Sequence, residues 1–272
     1  MDTKKLLCTP TIYMTELVDK IGYKNSNVRF EHTQAYKNIK RFILEIHRTI
    51  MSSPSVEEIS PMTLLVEMER VIQEIPLSDE PTRFANKSMI KVIENAEQIG
   101  IGNLYFSESF GNKIRMDYGT GHELNFLCYL YYLTDGIVEK NINFILFNLW
   151  FYMNSIKAFI RKYNVEPAGA RGCWSINDFS LLGYVFGSSI NMIEPTQSQF
   201  YFKYSDIWFS SIENPNPLLS QLISADPQTI NSELLKMYFE EVLEKVVVTQ
   251  HFIYSNKLPD TVISAPSSNG DE

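Results

Sequence analysis

The sequence is short of the residues that build sites by themselves. It holds three cysteines, Cys8, Cys128 and Cys173, odd in number, far apart and without C-x-x-C spacing. This excludes a disulfide framework and a thiolate zinc site, and it fits a reducing compartment. Cations are outnumbered: 24 lysines and arginines stand against 32 aspartates and glutamates, a net charge of -8. Such a chain repels phosphate backbones and anionic lipid at long range, so neither nucleic acid nor a membrane surface is expected as a partner. Long apolar runs are missing as well. Leu124 to Leu133 is too short to span a bilayer and Ile142 to Met153 is interrupted by asparagines. MDTKKLLCTPTIY at the start carries no apolar signal region. A cytoplasmic location is the expectation, with the nucleus left open. Period-two alternation is almost absent, which argues against strands.

What is present is a core. With 44% hydrophobic and 13% aromatic residues in 272 positions, the chain has enough apolar surface to fold as one large domain or two small ones. TQAYKNIKRFILEIHRTI sets Tyr36, Ile39, Ile43, Ile46 and Ile50 three or four apart among Lys and Arg, an amphipathic helix. Ser60 and Pro61 read as a cap and first helical position, followed by Leu64, Met68, Val71, Ile72 and Ile75 on one face. Segments 122–134 and 140–163 are apolar on most faces and read as buried helices, with Asp135 and Gly136 as the turn between them. Residues 164–178 form a Pro/Gly loop, and 232–248 carries Leu234, Leu235, Tyr238, Val242 and Val246 at helical spacing. The fold class is all-α, without internal repeats. The tail from Asp260 to Glu272 is polar enough to be disordered, leaving 1–259 as the helical domain.

MDYGTGHELNF, 116–126, is the densest cluster of chemistry-bearing residues. A zincin site needs a second histidine after His122-Glu123, and Phe126 stands there; a phosphate loop needs a lysine after Gly121, and His122 stands there. Two readings remain open. Thr120 and Glu123 form a T-x-x-E capping box before an apolar helix. A glycine-flanked helix N-terminus also presents N–H donors and a positive dipole end, which suits an anion, with Arg115 beside it as a cation or as a partner of Asp117. EPAGARGCWSINDF, 166–179, has small residues that admit close backbone approach, and Asp178 either belongs to a site or caps the next helix, FSLLGYVFG. TQHF, 249–252, offers His251, at such a place more often a satisfied buried polar group than a ligand, and its neighbour Gln250 adds little alone.

TQAY at 33, EPTRFANKSM at 80, FGNKIRMDYGTGHE at 110, EPAGARGCWSINDF at 166, FGSSI at 186, LLKMYFEEVLEK at 234 and TQHF at 249 together resemble the phosphotyrosyl phosphatase activator family, the protein phosphatase type 2A activators, in order and spacing. The resemblance implies a single helical domain of core, linker and lid subdomains with ATP and a divalent cation, magnesium, in a cleft. By that resemblance Arg115, Thr120, Gly121, Val247, Gln250 and His251 would contact the nucleotide, while Gly172, through its carbonyl, and Asp178 would hold magnesium. The implied partner is the catalytic subunit of protein phosphatase type 2A, with related phosphatases left open. The implied enzyme activity is peptidyl-prolyl cis-trans isomerase (EC 5.2.1.8) on a proline-containing peptide, around which a homodimer could form. Isomerisation needs no nucleophile, only a pocket that favours a twisted amide over a barrier of about 18–20 kcal/mol. A helical scaffold or chaperone for phosphatase assembly is the alternative. The chain departs from the family's GxWGLDDF pattern at Ser175 and Asn177, and Val247 stands where proline is common.

Overall fold

The computed structural model of the chain describes residues 28–52, 59–169, 179–191 and 225–263. Among the described residues the fold is all-α, as the sequence predicts. Its helices are α1 (Gln34–Ser52), α2 (Thr63–Glu74), α3 (Met89–Ile99), α4 (Leu104–Ser107), α5 (Thr120–Thr134), α6 (Ile142–Tyr163), α7 (Leu182–Asn191), α8 (Pro227–Tyr238) and α9 (Val246–Thr249). The only strands among the described residues, β1 (Asp117–Tyr118) and β2 (Glu166–Pro167), pair in parallel. None of these helices is long and apolar enough to cross a membrane.

Helix α5 is the hub. It packs against α1, α4, α6 and α9, and all of its residues except Gly121, Asn125 and Leu133 are buried. A helix apolar on every side has no face to offer water, so it is stable only where neighbours surround it. The turn to α6 follows the sequence reading: Asp135 and Gly136 both take left-handed conformations, and the Gly136 N–H closes back on the Tyr131 carbonyl at 2.9 Å. On the flanks, α2 lies on α3 and α6, α1 lies on α7, and α8 lies on α7.

Three boundaries differ from the sequence reading. Helix α2 does not start at Ser60-Pro61. Its N-cap is Met62, whose own N–H is taken by Asn148 Oδ1 on α6 at 2.7 Å. The segment read as one helix over 232–248 begins earlier, at Pro227 with Asp226 as N-cap, and is broken by a π turn over Phe239–Leu243. The extra residue in that turn lets consecutive Val242 and Leu243 both face the core. It also brings Glu244 to α1, where the Tyr36 hydroxyl donates to Glu244 Oε1 at 2.6 Å. The third difference is the tail. The Gln34 and Ala35 N–H groups at the start of α1 donate to the carbonyls of Thr261 and Pro259 at 2.8 and 3.0 Å, and Ile263 N–H donates to His32 O. The helical domain therefore continues past 259 to Ile263, because the opening donors of α1 have no partner within their own helix; residues 264–272 lie outside the described ones.

The start of α8 can be tested on its own. Asp226 Oδ1 accepts the Thr229 N–H at 3.0 Å from an exposed position. Asp226→Ala should lower stability by about 1 kcal/mol in urea denaturation, and an unchanged midpoint would show that the cap contributes nothing.

Candidate functional site

The site begins in the turn 111–116. Gly111 sits at φ 106°, where an added Cβ would lie 2.8 Å from the Asp117 carbonyl oxygen, so the position accepts only glycine. Asn112 then closes the turn: its Oδ1 accepts the N–H groups of Ile114 and Arg115 at 3.0 and 2.8 Å, and its backbone bonds to Asp117 and Met116. This folds Arg115 back onto the next strand, where its Nε donates to Asp117 Oδ2 at 2.8 Å. The terminal nitrogens of Arg115 have no protein partner among the described residues, and its side chain is half-exposed.

β1 pairs with β2 in the register Asp117 with Glu166 and Tyr118 with Pro167, and the Ala168 N–H extends the ladder to the Tyr118 carbonyl at 2.8 Å. Gly119 passes so close to Ala168 that an added Cβ would lie 2.9 Å from the Ala168 Cβ. Helix α5 opens immediately afterwards, with Gly119 as N-cap and no side-chain cap. The expected capping box is therefore not formed. Glu123 is fully buried, and its two carboxylate oxygens accept the N–H groups of Leu181 and Leu182 at 3.0 and 3.1 Å. It caps α7, a different helix, rather than its own.

His122, on the first turn of α5, is buried with its ring stacked on Tyr118 at 5.6 Å. Its Nδ1 lies 2.6 Å from the Glu108 carbonyl oxygen. A carbonyl can only accept, so Nδ1 carries a proton. Nε2 faces Asp117 Oδ1 at 3.9 Å, too far for a hydrogen bond. Asp117 is 8% exposed, and its Oδ1 has no hydrogen-bond partner among the described residues. Burial raises the Asp117 pKa, but His122 and the Arg115 guanidinium outweigh it, holding the carboxyl below the ordinary aspartate value.

These elements line a cavity of about 650 Å³ whose opposite wall is α9 and the turn after it. Gly121 faces Val248 across it, an added Cβ there lying in ordinary contact with the Val248 carbonyl oxygen at 3.5 Å. Arg115, Thr120, Gly121, Val247, Gln250 and His251 all line this one cavity, although the last three stand more than 120 positions from the first three in the chain. Val247 and His251 are exposed at its rim, and Gln250 Nε2 donates to the Val247 carbonyl at 3.1 Å. Gly172 and Asp178, together with Ser175 and Asn177, lie outside the described residues. Among the described residues no group of three or more His, Cys, Asp or Glu side chains could hold a metal ion alone. The sequence reading missed Asp117 and His122 as a facing pair, and Asn112 as the brace of the turn. Asx-turn chemistry at G-N-x-x-R was a legible signal for Asn112; nothing local signals the approach of His122 to Asp117.

The profile of the family described as "Phosphotyrosyl phosphate activator (PTPA) protein" matches residues 17–208. The serine/threonine-protein phosphatase 2A activator of Encephalitozoon cuniculi is 35% identical over 242 residues, covering 86% of this chain and 95% of that protein. The serine/threonine-protein phosphatase 2A activator 2 of Saccharomyces cerevisiae is 26% identical, covering 92% of this chain and 76% of that one. Among solved structures, that of the PP2A phosphatase activator Ypa1 PTPA1 superposes with a TM-score of 0.70 at 21% identity, over 89% of this chain and 94% of that one, which establishes a common fold.

Glu123 is the residue here whose loss should be most damaging. Glu123→Ala leaves two buried N–H groups unsatisfied and should cost about 3 kcal/mol or more, while Glu123→Gln, which keeps one acceptor, should cost about 1–3 kcal/mol. Urea denaturation of both variants checks this ordering, and an alanine variant as stable as the parent would remove the carboxylate from its capping role.

Proposed function

The chain belongs to the phosphotyrosyl phosphatase activator family, and from that premise we propose that it activates the catalytic subunit of serine/threonine protein phosphatase type 2A, using the cavity between α5 and α9 to hold ATP with magnesium. The observation that carries this reading is the convergence of Arg115, Thr120, Gly121, Val247, Gln250 and His251 on one cavity. The cavity also fits the chemistry of a nucleotide. A helix begins at its wall with glycines on either side of Thr120, leaving backbone rather than side chain against a ligand and its positive dipole end toward the cavity. Arg115 is braced by Asp117 through Nε and keeps two terminal nitrogens for a phosphate, a bidentate geometry that lysine does not offer. Magnesium, when bound, neutralises phosphate charge and needs few carboxylates because it retains water; Gly172 and Asp178 are the residues proposed for it.

A second reading, compatible with the first, is peptidyl-prolyl isomerisation. Leu124, Val248, Phe252 and Ile253 give the cavity an apolar wall beside its polar one, a setting in which a proline ring can pack while its amide twists out of plane. A protease-coupled assay on a phosphatase-derived proline peptide should give a rate above the uncatalysed one, weakly so on short peptides because these lack remote binding energy. A rate equal to the uncatalysed one leaves binding alone.

The activator reading is tested by mixing the protein with metal-depleted phosphatase catalytic subunit, with and without ATP and magnesium. Serine/threonine phosphatase activity should rise only with nucleotide present. Arg115→Ala should weaken ATP binding by roughly tenfold or more and blunt the activation; it also leaves the buried Asp117 Oδ2 without its donor and should lower stability by about 1–3 kcal/mol, so binding is compared below the unfolding temperature of both proteins. Activity unchanged at saturating protein, with no complex in a pull-down, would contradict the activator role and favour a helical scaffold.

A further inference from the structure

FGSSI, 186–190, is a block of the sequence that the cavity leaves without a role, and its two serines sit where three helices meet. Ser189, fully buried near the end of α7, holds its Oγ 2.9 Å from Nδ1 of His47 on α1. From α8 the buried Asn231 donates through Nδ2 to Ser188 Oγ and Ser189 Oγ, both at 2.9 Å. The surroundings of this polar node are apolar. Ile43, Ile46 and Ile50 within a turn of His47 are fully buried, as are Val185 and Phe186 within a turn of Ser189. Helix α7 is thus held at its two ends by different chemistry. Glu123 pins its start to α5, His47 fastens its last turn to α1, and Asn231 ties α8 to α7 separately from both.

We propose that His47 is a pH-sensitive latch: the neutral imidazole holds the last turn of α7 on α1, and its protonation frees that end together with α8, while Glu123 keeps the first turn in place. The inference is independent of the nucleotide reading. Ser189 Oγ can bond a neutral ring in either tautomer, donating or accepting, so the latch is complete without charge. A proton on the ring puts a cation into a half-buried, largely apolar contact beside Arg48, and swinging into water relieves both. Burial first, and Arg48 second, hold the His47 pKa below the ordinary 6.5. No acid among the described residues offsets them. α7 carries no acidic or basic residue, and Glu233 and Lys236 of α8 are exposed. Glu45, Asp135 and Glu139 line a surface groove with Arg48, and Glu244 is engaged by Tyr36 and Lys40. The sign follows: the latch is fully effective above the ordinary histidine value and is lost as the pH falls below it. Because α8 continues through the π turn into α9, release at the end of α7 also loosens the cavity wall.

Amide hydrogen exchange on the full chain tests the latch, with rates corrected for the intrinsic effect of pH on exchange. Between about pH 7.5 and about pH 5.5, protection of the last turn of α7 and of α8 should fall roughly threefold or more relative to that of α3. His47→Gln keeps an amide for Ser189 but cannot titrate, so its α7 protection should not follow pH. Ser189→Ala leaves Asn231 bonded to Ser188 and should open the end of α7 equally at both pH values. In the parent, the ring protons of His47 should titrate at a lower pH than those of a histidine in a short peptide. A parent whose α7 ignores pH, an equal loss of protection in every helix, or a pH response that survives in either variant overturns the inference. So does a His47 ring that titrates at or above the ordinary value.

Discussion

The buried Glu123 carboxylate is the interaction on which the centre of this protein depends. A charge taken fully out of water is tolerated only where hydrogen bonds replace its hydration, and here the N–H groups of Leu181 and Leu182 do so at the start of α7. The same contact satisfies the opening donors of α7 and sets a negative charge at its positive end. Glu123 thereby fixes α7 relative to the first turn of α5, the turn that forms the cavity wall. Around it lie the hydroxyls of Tyr118, Tyr152 and Tyr238. Burial above all, with the charge of Glu123 adding to it, holds all three well above the ordinary tyrosine range. Tyr152 gives its proton to the Ser109 carbonyl, so Tyr118 is the donor in the 2.8 Å bond between the two hydroxyls. That chain ties α6 to the strand that carries Asp117.

From this anchored centre the cavity is assembled by three short pieces of backbone that are stiff for different reasons. The turn 111–116 is closed by Asn112 and by the left-handed Gly111 and Met116. The β1–β2 pairing is only two residues long, yet it admits Gly119 against Ala168 and so fixes where α5 begins. The π turn after α8 releases the chain from one helical register and returns it as α9, opposite Gly121. Polar residues at the ends of rigid elements are held more closely than residues on long loops, which suits the proposed recognition of phosphate by geometry as well as by charge.

Much of this was legible in the sequence, and for identifiable reasons. Helix α1 and the α5–α6 pair announce themselves by apolar spacing, and Asp135-Gly136 by turn chemistry, because these are local properties. The grouping of Arg115 with Gln250 and His251 is not local; it became readable only through the resemblance of whole blocks to a family. The Thr120–Glu123 box was misread because spacing reports what a side chain can reach, not what competes for it, and the start of α7 lies within reach of Glu123. Ser60 lost its role to Asn148 at the neighbouring cap, 86 positions away in the chain. The Asp226-Pro227 start of α8 was a visible signal that periodicity counting from 232 passed over. Residues 260–263 look like a disordered tail in composition, and they are ordered here because α1 has bare N–H groups that they cover.

The proposed seating of a nucleotide in the cavity between α5 and α9 is tested by a crystal structure of the full chain grown with magnesium and a non-hydrolysable ATP analogue. Phosphates are expected at the start of α5, with the terminal nitrogens of Arg115 upon them. A nucleotide seated elsewhere, with the first turn of α5 facing only solvent, would contradict it.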